Sequence, residues 1–118
     1  EPLALGPTER LWRCSVAPTA GPALGRRLEA LQGTRVCYDW GGALVWAAVP
    51  ARHKPPAVHR LALEAGGHAQ IVDQGAECPH DEPVFGALSA GQHRLAANLK
   101  QAFDPQRILN PGRMYADL

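Results

Sequence analysis

Apolar residues follow two rhythms along this chain. From Leu11 to Val16, Trp12, Cys14 and Val16 recur at every second position, which predicts a strand with those three on one face. Pro18, Gly21 and Pro22 break it, and Pro22 suits the first turn of a helix, where a missing N–H costs nothing. Leu24, Leu28 and Leu31 then recur at helical spacing, with Arg26, Arg27 and Glu29 off the stripe and Gly33 as a stop. Thr34 to Trp40 returns to the two-residue rhythm, with Val36, Tyr38 and Trp40 on one face. Gly41-Gly42 predicts a tight hairpin into Ala43–Val49, because both residues tolerate positive φ. That third run has no polar alternation, as expected of a strand central in its sheet.

Three prolines break the chain between Pro50 and Pro56. Val58, Leu61, Ala62 and Ala65 predict a second helix, closed by Gly66-Gly67, and His68–Asp73 a fourth, shorter strand. Residues 74–87 read as an exposed loop. Ser89 with Gln92 forms a capping-box pattern opening a third helix, whose apolar stripe is Leu88, Leu95, Leu99 and Phe103 and which Asp104-Pro105 ends. The order strand, helix, strand, strand, helix, strand is the split βαβ arrangement of ferredoxin-like α+β folds. It predicts an antiparallel four-stranded sheet with its first and third strands central and two helices on one face. A C-terminal third helix and tail follow.

The length of 118 residues fits one domain, and 46% hydrophobic residues exclude a disordered chain. No apolar stretch approaches the roughly 20 residues that cross a bilayer. A formal net charge of +1 gives no broad field for nucleic acid or an anionic membrane. Cys14, Cys37 and Cys78 form no CxxC pair, and Cys14 and Cys37 lie in apolar runs, where a free Cys is expected to be buried. The expected setting is reducing and intracellular. Residues 1–9 read as a linker, and the opening at Glu1-Pro2 reads as a cut from something longer.

Candidate chemistry is sparse. His53, His59, His68, His80 and His93 show neither HxH nor HExxH spacing, and none lies near a Cys at metal-ligand spacing, so no metal site is expected. His68, beside Gly66-Gly67, is the best placed of them for a substrate-side role. No GxSxG or phosphate loop is present, and Asp39, Asp73 and Asp81-Glu82 could pair only through the fold. Trp12, Trp40 and Trp46 all fall on predicted strands, which makes core packing their expected role. The tail is harder to explain by folding alone. Asn110-Pro111-Gly112 fixes a tight turn, and Arg113 beyond it suits an anionic or carbonyl acceptor.

That tail, Leu99 to Pro105 followed by Ile108 to Arg113, resembles the LKxxFDPxxILNPGR ending of the FAD-linked, vanillyl-alcohol-oxidase-type flavoproteins. Leu11-Trp12-Arg13, Asp39 to Ala43, Ala65 to Ala69 and Pro111 to Tyr115 resemble more narrowly the FAD-binding subunits of bacterial glycolate oxidases. The resemblance implies that residues 10–118 form a C-terminal cap domain over a flavin. The FAD would be held mainly by an N-terminal domain, joined through residues 1–9. It places Asn110, Pro111, Gly112 and Arg113 near the cofactor. Members that themselves oxidise 2-hydroxy acids carry a Glu-His-Gly segment in this domain, and this chain has no Glu-His pair. The implied role is therefore accessory, beside a catalytic flavoprotein subunit and an iron–sulfur subunit. The implied location is cytoplasmic, at most peripheral at the inner membrane through those subunits. A regulatory small-molecule-binding or subunit-docking domain without a redox role is the alternative.

Overall fold

The computed structural model describes residues 3–118, which fall into two units, 3–86 and 87–118. In the first unit, the alternating runs become β1 (Glu9–Ser15), β2 (Arg35–Asp39), β3 (Leu44–Pro50) and β4 (His68–Gln74). The helical stripes become α1 (Gly21–Glu29) and α2 (Pro55–Glu64). The strands form one four-stranded sheet in the order β2-β3-β1-β4, every pairing antiparallel. β1 and β3 are central, as the all-apolar third run predicts.

One face of the sheet makes the core. Trp12, Cys14, Val45, Ala47, Val49, Ala69 and Ile71 meet Leu24 and Leu28 of α1 and Val58, Leu61 and Ala62 of α2. Trp12 is fully buried, and its ring stands edge-on to His59 of α2 with centroids 4.9 Å apart. Both helices start on prolines in the first turn, where the donor they lack would be orphaned. Each strand boundary lies within two residues of the one the pattern predicts. β1 begins at Glu9, two residues before Leu11.

Two irregularities shape the sheet. Leu11 pairs with Asp73 but Trp12 with Ile71, so Val72 is an extra residue in β4, a β-bulge. The β2–β3 connection is wider than a two-residue hairpin, because Trp40, Gly41 and Gly42 all have positive φ, at 50°, 62° and 96°. Asp39 caps this turn by accepting the Trp40 backbone N–H at 2.8 Å. A Cβ on Gly42 would stand 2.6 Å from the Pro18 carbonyl oxygen, so the turn lies against the 18–21 segment through bare backbone.

That turn corrects one expectation. Trp40 is not a core residue on β2; it sits in the turn, left-handed and 69% exposed. Trp46 lies half-buried on the sheet's second face, which leaves Trp12 as the core tryptophan. Cys37 is a second correction. It is exposed, because β2 is an edge strand and Cys37 lies on the face away from both helices. The 74–87 segment is also less open than expected. Cys78 in it is buried with its Sγ 3.3 Å from the Glu9 carbonyl oxygen, and Phe85 bridges to Gln70 of β4.

The second unit contains α3 (Ala90–Phe103) and the tail. The Ser89/Gln92 capping box is formed in both directions, Gln92 N–H to Ser89 Oγ and Ser89 N–H to Gln92 Oε1.

Candidate functional site

The tail is built by one carboxylate. Asp104, the residue that ends α3, is buried and accepts the backbone N–H groups of Ile108 at 3.0 Å and Leu109 at 2.9 Å. Lys100, one helical turn earlier, donates to it at 2.6 Å. The Lys100 hydrogen bond first, then the backbone donors, hold the Asp104 carboxyl down at about 2. The Phe-Asp-Pro sequence thus folds the chain back on itself: the aspartate supplies the acceptor, and Pro105 prevents the helix from continuing. Arg107, Asn110 and Gly112 take positive φ, at 53°, 46° and 67°, and the Arg113 N–H closes on the Asn110 carbonyl at 3.2 Å. The chain end is tied back through Asp117, which meets His93 Nε2 at 2.6 Å and whose carbonyl oxygen accepts from Arg107 at 3.1 Å. The His93 hydrogen bond holds the Asp117 carboxyl below its ordinary value.

Asn110, Pro111, Gly112 and Arg113 all lie exposed on this turn, and the Arg113 guanidinium meets no partner among the described residues. Around them is an apolar surface. No residue of α3 is buried; Leu95, Leu99 and Phe103 lie along it exposed, Phe103 to 83%, and Ile108, Leu109 and Met114 of the tail are exposed as well. The helical period predicts that stripe but says nothing of what covers it. Asp104 and Lys100, which shape the tail, carry no candidate role in the sequence reading. Their i, i+4 spacing across the helix end is the signal that could have found them.

His68 belongs to the first unit. It opens β4 opposite Ser15, on the sheet face away from the helices, and is exposed. His59 is the histidine with a perturbed setting. Its two ring nitrogens and the neighbouring Trp12 indole nitrogen are buried without a well-formed hydrogen bond among the described residues. Burial lowers the His59 pKa, partly offset by the Pro83 and Ala69 carbonyls. Neither Asp39, spent on its cap, nor Glu82, 3.6 Å from Lys54, joins a second carboxylate. Cys14 is held inert in the core, its thiol pushed up to about 12 by burial. Among the described residues no three His, Cys, Asp or Glu side chains converge to hold a metal ion, and no helix is long and apolar enough to cross a membrane.

Among the described residues the arrangement offers no nucleophile with a base beside it and no phosphate cradle. Its first unit offers an antiparallel sheet with α1 and α2 on one face, and its second a polar-laced tail presenting apolar side chains and an Arg113 guanidinium that meets no partner among the described residues. Comparison with known proteins gives that combination a setting. The chain is similar to the glycolate oxidase subunit GlcE of Escherichia coli (strain K12), 40% identical over 108 residues that make up 92% of this chain. The resemblance read from the sequence is borne out by that match. The chain spans about a quarter of its relative's length, 27%. No family model and no solved structure matches.

Proposed function

We propose that this chain is the cap domain of a FAD-dependent oxidoreductase subunit that takes part in oxidising glycolate to glyoxylate within a multi-subunit complex. The observation that carries the reading is the exposed apolar surface of α3 and the tail, in the segment whose ILNPGR sequence resembles the ending of the FAD-linked flavoproteins. An apolar stripe of this kind on an ordered helix calls for a protein surface against it. The unpartnered Arg113 beside it suits a phosphate or a flavin carbonyl at the rim of that surface. These residues fit a flavin as edge contacts and not as its main cradle, since no glycine-rich phosphate loop accompanies them.

When bound, the flavin supplies the two-electron chemistry. The chain's own residues orient and exclude water. Asp104 and Lys100 hold the tail in one shape, so that Asn110 to Arg113 arrive preorganised. Catalytic flavoprotein and iron–sulfur subunits are the proposed partners. The test is deletion of residues 104–118 in the full-length parent, with flavin content and co-purification of the complex measured. Loss of either is expected. Unchanged flavin and unchanged assembly would overturn the reading in favour of a regulatory or docking domain.

A further inference from the structure

The two edges of the sheet are finished differently. On β4 the outer edge is covered: the Ile71 N–H donates to the Val84 carbonyl oxygen at 3.1 Å, Phe85 bridges to Gln70, and the bulge at Val72 interrupts the ladder. β2 is the other edge, and among the described residues no strand or bridge pairs with its outer side. It has no proline and no bulge, and all of Arg35–Asp39 pairs with β3 in unbroken register. Every residue of it but Val36 is exposed. A straight, uncovered edge of this kind is a template for one more strand.

The residues of β2 are complementary to themselves. Set antiparallel to a second copy about Cys37, the strand brings Arg35 opposite Asp39, Val36 opposite Tyr38 and Cys37 opposite its own counterpart. Opposite charges then meet at both ends, with apolar side chains between them. Both charged groups keep capacity for this. Arg35 spends Nη2 on Glu9 Oε2 and the Ala4 carbonyl oxygen, both at 2.7 Å, and Asp39 spends Oδ1 on the Trp40 N–H. Arg35 Nε and Nη1 and Asp39 Oδ2 meet no partner among the described residues. A two-fold axis at Cys37 suits either outward set of backbone groups, since a residue on the axis can occupy a hydrogen-bonded or a non-hydrogen-bonded pair. We propose that β2 is a dimerisation edge: two copies pair antiparallel through it, joining the four strands of each into one continuous sheet. The inference stands on the sheet of the first unit and not on the cap-domain reading.

Cys37 supplies the test. Opposed residues of an antiparallel pair have Cα atoms about 4.5–5.5 Å apart, within the roughly 4.4–6.8 Å that a disulfide spans. Cys14 and Cys78 are buried, so Cys37 is the exposed thiol among the described residues. For the purified full-length parent, sedimentation should give twice the subunit mass. Brief copper–phenanthroline oxidation should link Cys37 to Cys37, identified by mass spectrometry of the unreduced digest. Cys37→Ser should lose the link and keep the dimer mass. Cys37→Lys sets two ammonium groups together on the axis and should weaken dimerisation about tenfold or more. A monomeric parent, a dimer without the Cys37 link, or one that Cys37→Lys leaves unchanged would overturn the proposal. Should Cys37→Lys fail to fold, Asp39→Lys is expected to weaken the dimer and Arg35→Glu combined with Asp39→Lys to restore it; equal dimerisation in parent, single and double variants also overturns it.

Discussion

The first and second units solve the same problem by different means. In residues 3–86 shape comes from burial: Trp12, Cys14, Val45, Leu24, Leu28 and Val58 have almost no exposed surface and interlock between one sheet and two helices. In residues 87–118 shape comes from polar anchors, namely the Ser89 capping box, the Asp104 hub and the Asp117 ties, while the apolar side chains stay outside. The difference shows that order and burial are separable. A short segment can be held in one conformation by satisfied hydrogen bonds and still leave its apolar side chains exposed.

The widest gap between the units is in what a lost aromatic costs. Trp12→Ala should destabilise the first unit by about 3–5 kcal/mol, whereas Phe103→Ser should change the stability of the chain by no more than about 0.5 kcal/mol. Urea denaturation of the two variants decides it, and a large loss for Phe103→Ser would break the comparison. Next comes the hub. Asp104→Asn should speed amide exchange at Ile108 and Leu109 about tenfold or more while leaving β1 and β3 amides unchanged. The sign in pH follows from the lowered carboxyl: the anchoring is fully present above the ordinary value of 3.8 and is lost as pH falls through about 2.

The smallest effect belongs to the core. His59 has its pKa lowered from 6.5, so its neutral form is the one the fold favours. First-unit stability should be flat above that value and should decline as pH falls below it, because the unfolded chain takes up the proton more readily. Urea midpoints measured from pH 8 to pH 5 should show the decline in the parent and a flatter profile in His59→Phe.

Much of this architecture could be read from the chain. Two-residue alternation placed Trp12 and Cys14 on the buried face, helical spacing placed Leu24 and Leu28 beneath them, and the unbroken run Ala43–Val49 marked a central strand. Periodicity reports which side chains share a face, not what lies on it. Cys37 therefore looked like a core residue although it lies on the face of its edge strand away from both helices, and the α3 stripe looked like a packing surface although nothing in its own unit covers it. The hairpin erred for another reason. The paired glycines were visible, but the left-handed run extends back to Trp40, which propensity would never place there. Of the site, the Asn110–Arg113 turn was visible from its residue types. The Asp104 hub that shapes it was not, because the Ile108 and Leu109 donors reach that carboxylate only once the chain folds back.

The bulge at Val72 settles the charge of the molecule's interior. Were the β1–β4 ladder to run straight, Val72 would stand opposite Leu11 and Asp73 would come opposite Arg10. One added residue shifts the phase of the strand, so that Arg10 faces Gln74 and Asp73 faces out beside Leu11. Arg10, 1% exposed, is left with neutral company: the Gln74 amide at 3.4 Å and the Ala51 and Pro79 carbonyls at 3.5 and 3.3 Å. A single irregularity in strand pairing thus withholds a counter-ion. The floor of this core keeps a net positive charge, spread over oxygen dipoles from three separate segments of the chain.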